Sequence, residues 1–397
     1  MSRKNILIVS PVVTDPSYSG NSTRISQMVD MLVVMGVHVS FLLVKIPEID
    51  DRKVNDATSV RFSGNYYEAN SGRVCRGRFL LRLFRFLKRL MPKDRFLSIH
   101  DQYFPSLMYT RDIYKDISAT ISSIQPDAVI FEYVLLAPLA SICPSEVLTI
   151  IDTHDRFSDR NKMIRLSGGE GAWWSLSPRQ EKDCLNQFDQ VIAIQEDEHR
   201  FFTEKLGIDP EKVNTVDIIS LPEVFKSDWS STPVIGFVGS NNHHNREGLR
   251  AFIQNHLEFF KRKFPDFKLL IAGSIVLEIE DPSIIYLGKV DNLFLDFYEK
   301  CSIIINPTLS GSGLKIKTVE AMGYGLPVVS TKEGLSGMVD AIGSGVYLAD
   351  LHSSEFFECC KLLLESKALA IESGSLARQY VVSRYKRSQD VLTKILS

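Results

Sequence analysis

Apolar residues along this chain fall into short unbroken runs, separated by longer stretches in which they recur every three or four positions. Residues 5–9, 128–132, 147–151 and 190–194 hold runs of the first kind, and the more mixed 37–44 (VHVSFLLV) and 214–219 (NTVDII) also read as strands. Such runs mark strands covered on both faces, as in parallel sheets. The segments between them carry helical periodicity at 22–35, 109–124, 177–187 and 196–206. Gly36 and Gly207 close two of these, and Ser177-Pro178 opens another, in keeping with helix stop and start chemistry. A stretch rich in Pro and Ser at 220–233 interrupts the alternation, which then restarts. Strands are expected at 234–238, 268–272, 284–286, 303–305, 328–329 and 346–348. Helices are expected from about 245 to 264 and at 293–300, 315–322, 355–364 and 368–394. Strand and helix alternating in this way predict βαβ units and an α/β class. Residues 47–72 read as polar and irregular, and no repeat of solenoid length is present.

Composition adjusts this picture in a few places. A chain of 397 residues is long for a single core and predicts two domains, with the 220–233 stretch as linker. A net charge of −2 supplies no overall attraction for nucleic acid, so any basic patch must be local. One such patch lies at 73–95. Arg78, Arg82, Arg85, Lys88 and Arg89 gather on one helical face, while Phe79, Leu83, Phe84, Leu87 and Leu90 gather on the other. Two readings stand side by side: a helix lying on an anionic membrane, or one packed on its domain with arginines in water. The six cysteines show no C-x-x-C pair or zinc-ligand spacing, and reduced thiols in a cytoplasmic protein are expected. The apolar start MSRKNILIVSPVV reads as a first strand rather than a signal peptide. No run approaches the roughly 20 apolar residues that span a bilayer.

Candidate chemistry concentrates in residues 309–331, LSGSGLKIKTVEAMGYGLPVVST. A strand, a Ser/Gly loop (Gly311, Ser312, Gly313, Leu314) and a helix N-terminus make an anion site, because free N–H groups and the helix dipole both face the loop. Lys315 and Lys317 stand in the first turn, where cations oppose the dipole and a bound anion would account for them. Glu320 follows. A second βα turn, Gly239-Ser240 through Asn245 and Arg246, has the small residues that let a diphosphate approach the backbone. Gly20 and Asn21 occupy the corresponding first turn of the chain. The strand 147–151 ends in a polar cluster with His154 and Asp155, placed where ligands of open α/β sheets bind; a hydrogen-bonded loop capping the next helix is the alternative. Adjacent His243 and His244 point in different directions without an evident carboxylate partner, so no metal site is expected. The glycine-rich 167–174, with Trp173 and Trp174, reads either as an acceptor loop or as a loop pinned by a buried ring.

Residues 311–331 resemble the motif G-x-G-x-x-x-K-x-x-E-A-M-A-x-G-x-P-V-V-x-T of retaining nucleotide-sugar glycosyltransferases, family 4 in particular. The likeness extends more weakly over most of the chain. It implies an α/β GT-B fold, two Rossmann-like domains whose parallel sheets face each other across a cleft. The first would comprise residues 1–222 plus a returning C-terminal helix at about 385–397, and the second, donor-binding domain 223–384. The resemblance implies transfer of a sugar from a nucleoside diphosphate sugar to a hydroxyl of a glycan or lipid-linked glycan in polysaccharide synthesis, retaining, with neither metal nor cofactor. Lys317, with Arg246 as second choice, would meet the diphosphate, Glu320 the ribose hydroxyls, and Gly288-Lys289-Val290 the base. His154 and Asp155 would face the reacting sugar and acceptor, and Gly20 and Asn21 the acceptor side. A place at the inner face of the cell membrane is expected from the same kinship. Ser312 departs from the family: many members carry there a glutamate that touches the donor sugar. That departure leaves a non-catalytic nucleotide-sugar-binding partner as the alternative. An epimerase or a phosphorylase on the same scaffold fits less well, the motif being that of the transferases.

Overall fold

The computed structural model describes residues 4–12, 14, 20–45, 64–70, 109, 111–162, 175–226, 229, 232–310 and 313–397. The segments 73–95 and 167–174, and Gly311 and Ser312, lie outside the described residues. By its contacts the chain divides into two units, Met1–Ser220 with Ser388–Ser397, and Leu221–Arg387.

In the first unit β1 (Asn5–Ser10) leads through α1 (Gly20–Val34) to β2 (His38–Lys45) and β3 (Tyr66–Asn70). Then follow α2 (Arg111–Ile124), β4 (Ala128–Glu132), a 3-10 stretch Val134–Ile142, β5 (Leu148–Asp152), α3 (Pro178–Leu185), β6 (Gln190–Ala193), α4 (Glu196–Arg200) and β7 (Val213–Thr215). The strands form one parallel sheet, ordered β3-β2-β1-β4-β5-β6-β7. Residues 6–9 and 128–131 are fully or almost fully buried, which is why these strands are continuous apolar runs instead of alternating ones.

Two expectations require correction. The 47–72 segment is not irregular throughout: Tyr66–Asn70 is an edge strand pairing with β2, Phe41 opposite Tyr66, their rings stacked with centroids 6.1 Å apart. Its polar YYEAN sequence suits an edge that is half in water, so the buried-strand pattern was absent. The run at 214–219 is a strand only to Thr215. Beyond it the Asp217 side chain accepts from its neighbour's Ile218 N–H at 2.7 Å, and the apolar residues there are buried outside the sheet.

The second unit repeats the scheme with β8 (Val234–Val238), α5 (His243–Lys263), β9 (Lys268–Ala272), β10 (Ile284–Gly288), α6 (Leu293–Asp296), β11 (Ile303–Asn306), α7 (Ile316–Gly323), β12 (Val328–Ser330), β13 (Val346–Leu348), α8 (Ser354–Glu365) and α9 (Lys367–Leu396). Its parallel order is β10-β9-β8-β11-β12-β13. The predicted linker is in fact anchored: Trp229 and Lys226 are buried, and the Trp229 carbonyl accepts from Lys367 at 2.8 Å. The last helix, α9, is shared between the units. Its end stays with the first, where Ser388 donates to Asp217 at 3.2 Å and Lys4 binds the Leu396 carbonyl.

In each sheet the order reverses direction at one place, between β1 and β4 and between β8 and β11. Loops leaving the carboxyl ends of those strands diverge to opposite faces and leave a crevice, the usual ligand position of such sheets. Gly239 and Asn306 flank the one in the second unit; Ser10 and Glu132 flank the one in the first.

Candidate active site

The anion loop is built on a buried knot at the end of β11. Asn306 Nδ2 donates to Thr318 Oγ1 and to the Gly334 carbonyl, both at 2.9 Å, while Thr308 donates to its Oδ1 at 2.6 Å. Thr331 binds the Thr308 carbonyl and accepts from Gly334 N–H at 3.1 Å. These bonds tie strand end, helix α7 and the following turn together with both ends of the Asn306 amide engaged, as a buried polar network requires. Gly313 adopts φ +80°, a left-handed turn that favours glycine. Lys315 is the N-cap of α7 and its side chain makes no capping bond, in contrast to α5, α3 and α8, capped by Asn242, Ser177 and Ser353. This N-terminus turns the positive end of its dipole to an incoming anion, while the Ile316 and Thr318 N–H groups donate to the Leu314 and Lys315 carbonyls at 3.1 and 2.8 Å.

Lys317 lies inward from this turn. Its Nζ donates to Asn245 Oδ1 at 2.7 Å and sits 4.6 Å from the centroid of the Phe237 ring. Burial, reinforced by Lys315, pulls its pKa down to about 7, since desolvation disfavours the charged form. Glu320, one turn on, accepts from Tyr298 Oη at 3.4 Å; burial pushes its pKa up to about 7 against that hydrogen bond. Tyr298 and Tyr324 pack 4.7 Å apart beside it. Burial thus holds a lysine and a carboxylate of one helix both near pKa 7, each with a partner other than the other.

The β8–α5 turn completes this region. Gly239 leans on Gly273, where φ is +99° and an added Cβ would stand 2.2 Å from the Gly239 carbonyl oxygen. Two glycines therefore let adjacent strand ends meet backbone to backbone. Ser240 O accepts from Asn245 Nδ2 at 2.9 Å. Arg246 is turned away from the Ser/Gly loop at one nitrogen at least: its Nη1 donates to Asn241 Oδ1 and Val276 O, both at 2.9 Å. His243 has a carboxylate partner after all, Glu247 at 3.6 Å. His244 points elsewhere, its Nδ1 2.6 Å from Ser310 Oγ, and its pKa is lowered by burial and by its cationic neighbours. Around the predicted Gly239, Ser240, Gly313, Leu314, Lys317 and Glu320 the structure gives partners to Asn245 and His244, which the sequence had placed in the β8–α5 turn, and adds Ser310 and Tyr298. The only sequence signal for them was their nearness to the two βα turns.

The other polar cluster belongs to the first unit, at the ends of β4 and β5. His154, backbone φ +60°, is buried; its Nε2 meets Glu132, and its ring stacks on Tyr133 with centroids 4.2 Å apart. Glu132 is fully buried, and burial raises its pKa although His154 opposes the shift. Arg24 forks onto Asp152 with Nε and Nη2 at 2.9 and 3.1 Å. Glu132, Asp152 and His154 place one donor atom each within 4.8 Å, but those groups are already paired as described. Asn21 bonds the Tyr133 hydroxyl, and Gly20 opens α1. Asp155 pairs with Arg160 at 2.9 Å and accepts from Arg156 N–H at 2.9 Å, so its side chain braces the loop. The sequence pointed to His154, Asp155 and Asn21 and missed Arg24, Glu132, Tyr133 and Asp152. All four sit at strand ends or one turn into α1, where the carboxyl-end rule could have found them.

Residues 232–366 match the family model of Glycosyl transferases group 1. The chain is 23% identical over 274 residues to an uncharacterized 44.6 kDa protein in the cps region of Klebsiella pneumoniae, covering 60% of this chain and 69% of that one. Among solved structures it is similar to sucrose-phosphate synthase from Thermosynechococcus elongatus (TM-score 0.67, 13% identity, 99% and 98% of the two chains). It is also similar to HepE from Anabaena in complex with UDP and glucose (TM-score 0.61, 13% identity, 98% and 99%). With a second unit that matches this family model and the GT-B architecture of two parallel-sheet units along its length, the chain is a glycosyltransferase.

Proposed function

We propose that the chain moves a sugar from a nucleoside diphosphate sugar to a hydroxyl acceptor, a glycan or lipid-linked glycan, in the synthesis of a cell-surface polysaccharide. The observation that carries this reading is the N-terminus of α7 with Lys317 in its first turn and Glu320 one turn on. A departing diphosphate develops charge, and donors already aimed at it stabilise that charge without reorganising. Lys317 supplies the cation. Glu320, a two-oxygen acceptor, suits paired ribose hydroxyls. The HepE structures with UDP, with UDP and glucose, and with UDP-glucose support a nucleotide-sugar donor, and the cps-region relative supports polysaccharide as the product class.

His154, oriented by Glu132, is the candidate to meet the acceptor or the positive charge developing on the sugar. Retention of anomeric configuration rests on kinship alone, and NMR of the product linkage tests it; an inverted linkage removes that mechanism. With Lys317 and the helix terminus in the cation's role, turnover is expected to survive a chelator, and a collapse of rate in EDTA would overturn metal independence. Residues 73–95 are proposed to hold the chain at the cytoplasmic face of the membrane, tested by sedimentation with anionic against neutral vesicles.

The experiment that decides the reading is turnover of UDP-, GDP- and dTDP-sugars with lipid-diphosphate and glycan acceptors. Nucleotide binding with no turnover across that panel would favour a binding partner over an enzyme. Glu320→Ala is expected to weaken UDP binding roughly 10- to 100-fold, the range for hydrogen bonds to a charged group. It should also erase any preference for UDP over dUDP, which calorimetry reads directly. An unchanged preference would remove Glu320 from the ribose.

A further inference from the structure

Asn245 stands where the two halves of the proposed phosphate site meet. Its Nδ2 donates to the Ser240 carbonyl at 2.9 Å and lies 3.4 Å from Ser240 Oγ, while its backbone N–H is capped by Asn242 Oδ1 at 2.9 Å. The amide is therefore anchored to the β8–α5 turn by its nitrogen end, and its oxygen is left facing out of the turn. That oxygen accepts from Lys317 Nζ at 2.7 Å, across 72 residues of sequence. We propose that Asn245 is a positioning residue for the donor phosphates, holding Lys317 of α7 against the β8–α5 turn so that both phosphate-binding turns act as one. The inference rests on the reading of this loop as the donor-diphosphate site.

A neutral acceptor is what this task needs. A carboxylate at the same position would form an ion pair and use up the charge meant for phosphate; an amide oxygen directs the ammonium without neutralising it. The surroundings agree. Lys317 has the Phe237 ring of β8 at 4.6 Å from its centroid and the like charge of Lys315 on its own element. On α5, His244 is engaged with Ser310, and Arg246 Nη1 with Asn241 and Val276. Glu320, further along α7, is bonded to Tyr298. Among the described residues Lys317 makes no ion pair, and its one hydrogen bond is to Asn245. In that seat the ammonium is held close to neutrality, so an arriving diphosphate should draw a proton onto it.

Calorimetric titration of the full chain with UDP, at pH 8 in two buffers of different ionisation enthalpy, tests this by counting protons taken up on binding. The parent is expected to take up close to one proton. Asn245→Ala should weaken UDP binding about tenfold, the loss expected when one positioning hydrogen bond is removed. Asn245→Asp, nearly isosteric and so still informative if the alanine variant does not fold, should bring the uptake near zero, because its carboxylate keeps Lys317 charged beforehand. Asn245→Ala within twofold of the parent, or Asn245→Asp with the parent's proton uptake, overturns the inference. If either occurs while Lys317→Ala has lost binding, the donor-site reading survives without it. If the parent binds none of UDP, GDP, ADP and dTDP, the donor-site reading falls and the inference with it.

Discussion

Lys317→Ala is expected to weaken UDP binding by roughly 30- to 150-fold while leaving the fold intact. The magnitude is that of a charge-assisted contact made in a partly desolvated site, about 2–3 kcal/mol. The fold is spared because the lysine stabilises little in the empty protein: its folded pKa, about 7, lies below its ordinary 10.5. The unfolded chain therefore binds the extra proton between those values, and protonated Lys317 opposes folding. That penalty is fully present below pH 7 and disappears as the pH rises towards 10.5. The melting temperature of the variant at pH 7 should thus equal or exceed the parent's. Binding has the opposite dependence, because only the protonated lysine meets the diphosphate. UDP affinity of the parent should be greatest near pH 7 and fall between pH 7 and 9, by at most tenfold per unit, and Lys317→Ala should flatten that fall. Binding that survives the substitution with the same pH profile would displace Lys317 from the phosphate.

Arg24→Ala should be the most destabilising single change in the first unit, by about 3–5 kcal/mol, the cost of leaving one member of a buried pair alone. Asp152 is fully buried; the guanidinium fork is its charge partner, and the same arginine also holds the Val216 carbonyl at 2.9 Å. With Arg24 gone, Asp152 would face Glu132, another buried carboxyl, and both would resist ionisation. Burial already holds Glu132 above its ordinary pKa, and protonation there would relieve the repulsion, so the variant gains stability as the pH falls. Urea unfolding should accordingly show the gap between variant and parent narrowing from pH 8 to pH 5. Arg24→Met with Asp152→Leu should recover most of the loss, since replacing both partners by apolar groups removes the orphaned charge. A single variant as stable as the parent at pH 8 would mean that water reaches Asp152 and that the cluster is not sealed.

How much of this was legible in the chain varied with the kind of pattern. Residues 5–9, 128–132 and 234–238 announced themselves as strands because a sheet covered on both faces leaves no polar position to blur the run. Tyr66–Asn70 did not, because an edge strand is half solvated and takes its pairing from β2, which is distant in sequence. The run at 214–219 misled for the converse reason: it is buried, but burial is not pairing. At the site, the glycine loop, Lys317 and Glu320 were readable because an anion turn is a local structure of a dozen residues. The contacts of Asn245 and Tyr298 were not, since they reach Lys317 and Glu320 across 72 and 22 residues, and no spacing rule spans such distances.

By itself the sequence determined the alternation of strand and helix, the break near residue 220 and the strand–turn–helix within 303–323, because each follows from local periodicity and backbone chemistry. The tertiary structure alone decided the rest. The parallel strand orders bring Asn306 near Gly239 where adjacent loops diverge, and set Glu132 beside Asp152 at the paired ends of β4 and β5. Only that placement pairs His154 with Glu132, Arg24 with Asp152, and Lys317 with Asn245. The physical reason is that local structure depends on neighbours along the chain, whereas desolvation, which draws Lys317 and Glu320 towards neutrality, depends on what the fold packs around them.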